Sequence, residues 1–407
     1  MALKARNIFK KNAPAPDLGH ESDSDSVSEE EEVQVKEKNR RPKENNFTQQ
    51  KLKAVHPIIT PKYVIPLFIG LAIFLIPLGA GMLYGSYKVE DMKIYYQDCA
   101  KLASRDYFSD VGESNYEANF KTNMTVTPKW KYSINETETD EDEEGLCELQ
   151  FQIPNDIGPA VYLMYHIENF YANHRRFARS YSEDQIQGKR ASLHTIKDTV
   201  GQNCEPLSQN ADGIRYYPCG LIANSLFNDT FTSLSGVNDT SDDYEMTNSG
   251  IAWATNKNRF KKTKYNASEV TPPPNWVKKF PNGYTEDNMP DISTWSEFQN
   301  WMQTPGLPKF SKMARRNDDD VLKAGTYQVT VGLHWPVDGF DGKKAIYLTT
   351  RSVIGGRNPF LGICWIVVGA ICLILGLVFL IIHLVFPRKT GDVSRLSWNL
   401  EKEQLLK

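Results

Sequence analysis

Two long apolar segments dominate the pattern of the chain. Residues 63–87 (YVIPLFIGLAIFLIPLGAGMLYGSY) and 358–387 (NPFLGICWIVVGAICLILGLVFLIIHLVFP) contain no Asp, Glu, Lys or Arg. A helix needs roughly 20 apolar residues to cross about 30 Å of hydrocarbon, so both segments predict transmembrane helices. The first follows 62 mostly polar residues and lacks the short apolar core and cleavage site of a signal peptide, which indicates an internal signal-anchor.

The region between the spans, residues 88–357, alternates between apolar and polar positions. This period of two, with Gly and Pro between the runs, is typical of antiparallel strands. The clearest runs are LCELQFQI (146–153), VYLMYHIENF (161–170), TYQVTVGLHWPV (326–337) and KAIYLTT (344–350). Two sets are each predicted to share one strand face: Val161, Leu163, Tyr165 and Ile167, and then Tyr327, Val329, Val331, Leu333 and Trp335.

One helix is predicted within this region. Thr294 and Glu297 have the spacing of a capping box. Its apolar face would comprise Trp295, Phe298, Trp301 and Met302. The proline run TPPPNW (271–276) predicts an extended loop. The predicted fold class is therefore two transmembrane α-helices flanking a large β-rich ectodomain, an antiparallel sheet or sandwich with a few short helices.

Charges near the spans indicate how the chain crosses the membrane. The net charge is -3, but Lys51, Lys53 and Lys62 precede the first span, and Arg388 and Lys389 follow the second. Basic residues favour the cytosolic side, so both termini are expected in the cytosol. The expected order is a disordered tail (1–45), a juxtamembrane segment (46–62), the first span (63–87), the ectodomain (88–357), the second span (358–387) and a second tail (388–407).

The first tail contains the acidic run ESDSDSVSEEEE (21–32), which has too few apolar residues to fold. Its serines stand beside acidic residues and are candidate phosphorylation sites for an acid-directed kinase: Ser22, Ser24, Ser26 and Ser28. An unmodified solubilising tail fits the composition equally well. Neither tail is basic enough to indicate nucleic-acid binding.

Cysteines and glycosylation sequons cluster between the spans. The cysteines there are Cys99, Cys147, Cys204 and Cys219, and the sequons begin at Asn123, Asn135, Asn228, Asn238 and Asn266. Together they indicate an oxidising, glycosylating compartment. Four cysteines allow three pairings, of which we favour the sequence-local Cys99–Cys147 and Cys204–Cys219. No metal site is expected, because the spacings are wrong and no histidine is near. The Asn46 sequon lies on the predicted cytosolic side and should stay unmodified.

Motifs for catalysis are missing from the sequence. It contains no GxxxxGK[ST], HExxH or GxSxG. Ser225, in PCGLIANSLFNDT (218–230), has no evident base. Arg175 and Arg176, in NHRRF (173–177), could bind a phosphate, including a lipid headgroup. They could instead pair with nearby acidic groups such as Glu183 and Asp184, or with a partner protein. We expect no enzyme activity and no cofactor apart from N-linked glycans.

Glycines in the two spans indicate helix packing. Gly81 and Gly85 are four residues apart in the first span, and Gly362, Gly369 and Gly376 recur every seven residues in the second. Small residues allow helices to approach closely in a membrane. Either the two spans pack on each other, or these faces receive another membrane protein; we favour the second. Cys364 and Cys372 are expected to be apolar packing residues.

Several motifs in order resemble one known family. They are RRPKENNFTQQKLKAVHPIITP, IYYQDC, NFYANHRRFARSYSEDQI, YYPCGLIANSLFNDTF, KKTKYNASEVTPPPNW, PDISTWSEFQNWM, GLHWPV and GGRNPFLGI. From about residue 40 to 400 the chain resembles the non-catalytic β-subunits of type IV P-type ATPases, the lipid flippases. This is the family of the yeast ligand-effect modulator Lem and its cell-division-cycle paralogue. SEDQI, GLHWPV and SRLSWN most resemble the Lem branch.

The resemblance implies a two-span glycoprotein with a β-rich, disulfide-bonded ectodomain and cytosolic termini. It implies the same consecutive disulfides and a 1:1 complex with a catalytic ATPase, here of the Dnf type. Such subunits escort the ATPase out of the endoplasmic reticulum to the Golgi, endosomes and plasma membrane. They support inward movement of phosphatidylcholine and phosphatidylethanolamine. The alternative is a subunit of a two-span ligand-gated or sodium-type ion channel.

Overall fold

The computed structural model describes residues 45–54, 59–135, 145–197, 199–237, 242–387 and 392–393, and of Lys257 the backbone alone. The chain divides into two units, residues 1–58 and 59–407. In the first, residues 46–50 form an exposed turn that begins with a bond of 2.7 Å from the Thr48 N–H to the Asn45 side chain. The sequon residue Asn46 lies in this turn. The candidate serines 22–28 lie outside the described residues.

The described part of the second unit begins and ends with long helices. Its α-helices are α1 (Pro61–Tyr87), α2 (Cys99–Leu102), α3 (Arg175–Ala178), α4 (Glu183–Ile186), α5 (Leu193–Lys197), α6 (Leu221–Asn224), α7 (Asn256–Arg259), α8 (Ser296–Trp301) and α9 (Phe360–Val385). Only α1 and α9, among the described helices, are long and apolar enough to span a membrane. Most of their side chains are exposed, unlike those of a core helix in a soluble protein.

Helix α1 begins where its sequence allows. Pro61 occupies its first turn, where the missing N–H would have had no helical partner. Pro66 and Pro77 lie inside the same 27-residue helix. Proline within a helix removes backbone hydrogen bonds, a loss that transmembrane helices tolerate when neighbouring groups compensate.

The strands lie between α1 and α9. They are β1 (Asp91–Tyr95), β2 (Ser109–Asp110), β3 (Tyr116–Asn119), β4 (Lys129–Ile134), β5 (Gly145–Ile153), β6 (Val161–Glu168), β7 (Arg215–Tyr216), β8 (Thr230–Phe231), β9 (Ser235–Gly236), β10 (Val270–Thr271), β11 (Phe310–Asn317), β12 (Gly325–Gly332) and β13 (Lys343–Thr349). One antiparallel sheet has the order β11-β6-β13-β1-β3. A second antiparallel sheet has the order β2-β4-β5-β12-β8, with β9 also paired to β12. Strands β7 and β10 form a short parallel pair.

The two larger sheets share one hydrophobic core, as in a two-layer β-sandwich. Ile94 and Ile346 from the first sheet belong to the same buried cluster as Leu149 and Val329 from the second. On β5 every second residue is buried, because one face lies against this core and the other is partly open. The predicted fold class, two apolar helices around a β-rich ectodomain with few short helices, is confirmed.

Several local predictions differ from the structure. Strand β12 ends at Gly332, so Leu333 and Trp335 lie beyond it. The capping box is wrong: α8 begins at Ser296, two residues after Thr294, whose hydroxyl instead donates to the Asp291 carbonyl. The proline run is not wholly extended, because Pro274–Trp276 forms a 3-10 turn.

Candidate functional site

The segment 218–230 turns sharply before it reaches the glycosylation sequon. Gly220 has φ +97°, a conformation that favours glycine, and an added Cβ would meet the Ser180 carbonyl oxygen at 2.1 Å. The preceding Cys219 is bonded to Cys204, and its N–H donates to the Gln185 side chain at 2.8 Å. The segment is therefore held at its start by a disulfide and by close backbone packing.

Asp229 holds the other end of the segment. Its carboxylate accepts from the Tyr96 hydroxyl at 2.8 Å and the Lys344 ammonium at 2.7 Å. It also accepts from the backbone N–H groups of His334 and Trp335, at 2.7 and 2.6 Å. The Asp229 side chain is fully buried and that of Lys344 nearly so, at 6% exposure. Charge-assisted bonds of this kind offset the large cost of burying both ions.

A cavity of about 1030 Å³ opens beside this segment. Its wall includes a set of aromatic rings and several charged groups: Tyr165, Phe170, Phe227, Phe231, Trp276, Trp295, Trp335 and Phe340, and among the charged residues Lys101, Lys279, Glu297, Arg315 and Asp338. The ring of Trp335, one of these lining residues, has its centroid 5.4 Å from those of both Phe170 and Phe227. The Lys279 ammonium lies 4.6 Å from the centre of the Trp295 ring, and burial lowers its pKa. Aromatic walls with fixed cations are suited to holding part of another polypeptide.

The glycines of α9 pack against α1. A Cβ built on Gly362 would lie 2.9 Å from the Leu83 backbone nitrogen, and one on Gly369 would lie 2.7 Å from the Ile76 side chain. Gly376 similarly faces Ile69 at 3.0 Å. The helices touch because these positions have no side chain. The expectation that this face receives another protein is therefore wrong for Gly362, Gly369 and Gly376.

The glycines predicted in α1 do not take part in this contact. A Cβ on Gly81 would meet nothing within 4 Å, and one on Gly85 would meet only the end of the Ile354 side chain, at 3.2 Å. Gly79, which the spacing argument missed, lies against Gly362 instead. The spacing of four identified a pair of small residues, but it could not identify which side of α1 faces α9.

Comparison with known proteins places this arrangement in a family. The model of the LEM3 (ligand-effect modulator 3) family / CDC50 family matches residues 82–389. The chain is 48% identical to the phospholipid-transporting ATPase accessory subunit LEM3 of Saccharomyces cerevisiae, over 89% of this chain and 88% of that protein. The chain belongs to the LEM3/CDC50 family.

Further members of the LEM3/CDC50 family extend the similarity beyond yeast. The phospholipid-transporting ATPase accessory subunit CDC50 of Chaetomium thermophilum is 37% identical over 88% of this chain and 91% of its own length. Cell cycle control protein 50A of Bos taurus is 33% identical over 85% and 90%. The higher identity to LEM3 agrees with the resemblance to the Lem branch, and nothing in these names supports the ion-channel alternative.

The chain has both of the expected disulfides, each between consecutive cysteines of the ectodomain. Cys99 at the start of α2, a helix that follows β1 of the first sheet, is joined to Cys147 in β5 of the second sheet. Cys204–Cys219 belongs to a small separate cluster with Ala191 and Ile196. No group of three or more metal-binding side chains occurs in the part of the chain that the structure describes. In the second span, Cys372 is buried and Cys364 half-buried.

The sequon asparagines lie at different kinds of surface. Asn123, Asn228 and Asn266 are exposed, and Asn135 is half-buried. Asn228 lines the large cavity. Asn238 lies outside the described residues. Exposure makes the first three accessible to a glycosyltransferase, and their modification stays a prediction.

Other polar residues singled out from the sequence lie outside any catalytic arrangement in the described residues. The Ser225 hydroxyl donates to the Ile222 carbonyl at 3.1 Å, and its own carbonyl accepts from the Trp335 indole. Arg175 and Arg176 are exposed at α3. The acidic groups expected to pair with them are bound elsewhere: Glu183 to Arg259 at 2.6 Å, and Asp184 to Lys189 at 3.0 Å. This expected pairing is therefore wrong.

Proposed function

We propose that this chain is the non-catalytic β-subunit of a phospholipid flippase. The observation that carries the proposal is the 48% identity to a phospholipid-transporting ATPase accessory subunit across 89% of the chain. The two-helix anchor and the β-sandwich agree with a role in holding another membrane protein. Within the described residues, the Ser225 hydroxyl binds only backbone, which favours a non-enzymatic role.

The partner in this proposal is a catalytic type IV P-type ATPase of the Dnf type, bound 1:1. The chain would have both termini in the cytosol and carry N-linked glycans on the ectodomain. It would accompany the ATPase from the endoplasmic reticulum to the Golgi, endosomes and plasma membrane. There it would support inward movement of phosphatidylcholine and phosphatidylethanolamine.

Two surfaces are suited to the ATPase. One is the large aromatic cavity, where Lys279 and Arg315 add cationic groups. The other is the side of α1 turned away from α9, where Gly81 leaves room for a third helix. The first surface would contact loops of the ATPase outside the membrane, and the second would contact one of its spans.

The proposal is tested in cells that lack this chain and its paralogues. We expect the Dnf-type ATPase to remain in the endoplasmic reticulum and uptake of fluorescent phosphatidylcholine to fall to background. The full-length chain should restore both and co-purify with the ATPase. Normal traffic and uptake without the chain would contradict the proposal. Gly81→Leu should weaken co-purification, and Gly70→Leu, at an open position about three turns earlier on the same side of α1, tests how far along the helix the contact extends.

A further inference from the structure

A second pocket lies where the ectodomain meets the membrane helices. Its volume is about 400 Å³. Tyr87, the last residue of α1, and Arg357, three residues before α9, both line it. Tyr116, Asn119 and Phe120, from β3 and the residue that follows, also contribute to the wall. The pocket therefore includes both points at which the chain passes between ectodomain and membrane.

A short turn beside α9 supports a position at the membrane surface. Ser352 and Gly355 exchange two backbone hydrogen bonds of 2.9 and 3.0 Å. The turn between them presents Val353, which is fully exposed, and Ile354, which reaches over Gly85 near the end of α1. Exposed aliphatic residues beside the end of an apolar helix are suited to the boundary between headgroups and acyl chains. The pocket is thus at the depth of the lipid headgroups.

The charge inside the pocket is positive and comes from one residue. Arg357 is the only charged side chain among the lining residues. Its guanidinium lies 5.4 Å from the centre of the Tyr87 ring, so its orientation is held by an aromatic face. Asp91 is its ion-pair partner, but Oδ1 of Asp91 is 3.8 Å from Nη1, which is beyond hydrogen-bond distance. The guanidinium therefore keeps donors for an anion.

The wall around Arg357 combines hydrogen-bonding and apolar groups. The amide side chain of Asn119 and the hydroxyl of Thr122 are polar, whereas Phe120 and Met124 are apolar. Guanidinium donors match phosphate oxygens in a planar fork, and aromatic rings accept alkyl or ammonium groups. A free inorganic phosphate would leave the apolar part of this wall unused.

We propose that this pocket binds the phosphodiester headgroup of a glycerophospholipid from the leaflet on the ectodomain side, with Arg357 on the phosphate oxygens. The proposal requires only this chain and does not depend on the ATPase partner. It assigns the junction between ectodomain and helices a lipid-binding role in addition to protein binding.

The test uses the full-length chain, purified alone in a phospholipid-free detergent, and native mass spectrometry. The chain is titrated with palmitoyl-oleoyl phosphatidylcholine and, separately, with palmitoyl-oleoyl glycerol, which lacks the phosphate. We expect one retained phosphatidylcholine and no retained diacylglycerol. Arg357→Ala should weaken retention at least about tenfold, because Arg357 supplies the charged hydrogen-bond donors of the pocket. Arg357→Lys should restore part of the retention, because the charge remains.

The matched control is Arg351→Ala, which removes an arginine of the same segment that lies over Tyr162 and does not line the pocket. Its retention should equal that of the unchanged chain. Titrations are repeated after enzymatic glycan removal, because Asn123 also lines the pocket.

Equal retention by Arg357→Ala, or equal binding of the diacylglycerol, would overturn the proposal. Displacement of the lipid by millimolar inorganic phosphate would instead assign the pocket to free phosphate and overturn the lipid assignment. Unfolding temperatures identify variants that fail to fold. If Arg357→Ala does not fold, retention of phosphatidylcholine is compared between the unchanged chain and Tyr116→Leu, which alters another lining residue and should retain less lipid.

Discussion

The carboxylate of Asp229 binds four donors from three separate parts of the chain. Tyr96 follows β1, Lys344 lies in β13, and the backbone of residues 334–335 follows β12. The same bonds keep the two other sequon residues, Asn228 and Thr230, at the surface. One buried residue thus places a glycosylation sequon at the mouth of the large cavity.

Removing one partner of this ion pair should destabilise the ectodomain strongly. Lys344→Met leaves the Asp229 carboxylate buried without its cation, at a cost of roughly 3–5 kcal/mol. Asp229→Asn keeps the sequon intact and leaves Lys344 unpaired, with a similar cost. The double variant should recover part of the loss, because neither charge then remains. Unfolding temperature and glycan maturation measure the effect, and strictly additive losses would contradict this coupling.

His166 should make the ectodomain sensitive to acid. Burial, reinforced by the charge of Lys93, lowers its pKa from 6.5 to about 4, although Glu168 opposes this shift. The unfolded chain therefore binds a proton between pH 6.5 and 4 that the folded chain does not, and stability falls as the pH falls through this window. We expect this residue to account for a loss of up to about 3 kcal/mol between pH 7 and 4.

The acid sensitivity is measured from unfolding temperatures of the full-length chain at pH 7, 5.5 and 4.5. His166→Gln should flatten the profile, because glutamine has no proton to gain. His174→Gln is the control, since His174 is exposed at the surface. Identical pH profiles for the unchanged chain and His166→Gln would show that His166 is not responsible.

The two membrane helices contact each other at the glycines of α9. The helices can approach closely there because glycine has no side chain. Their sequence indicates apolar helices and small residues, and both features are present. It contains no information on how α1 is rotated, because lipid-facing and helix-facing positions are equally apolar. This is why the spacing of small residues pointed to Gly81 and Gly85, whereas Gly79 touches Gly362 in the structure. Element type was predictable here, whereas the pairing of faces was not.

Alanine substitutions separate the two sides of the helix pair. Gly362→Ala brings a Cβ to 2.9 Å from Leu83 N and 3.0 Å from Gly79 O, so the helices must move apart. Overpacking of this kind costs about 1–3 kcal/mol. Gly81→Ala meets nothing within 4 Å and is the matched control. We expect a lower unfolding temperature in detergent for Gly362→Ala alone, and equal temperatures for both variants would contradict the observed packing.

The ectodomain combines a sandwich that the sequence pattern predicts with a long segment between β6 and β11 that was harder to predict. Alternation in the sequence identified β5, β6, β12 and β13, and each of these strands contributes buried residues to the shared core. Between β6 and β11, the described residues form short helices, two-residue strands and loops whose positions depend on distant contacts. Trp335 illustrates this, because its burial after the end of β12 depends on Asp229, 106 residues earlier. Such contacts leave no periodic pattern in the sequence.

The two disulfides should differ in their effect on the whole molecule. Cys99–Cys147 joins α2 to β5 across 48 residues, whereas Cys204–Cys219 closes a 15-residue loop around a small cluster. In the chain-entropy model they contribute about 4 and about 3 kcal/mol. Replacing both cysteines of a pair with serine avoids an unpaired thiol. The Cys99/Cys147 double variant should therefore have a lower unfolding temperature than the Cys204/Cys219 double variant. It should also carry less mature glycan. The reverse order would mean that the segment between β6 and β11, which contains Cys204 and Cys219, limits folding of the ectodomain.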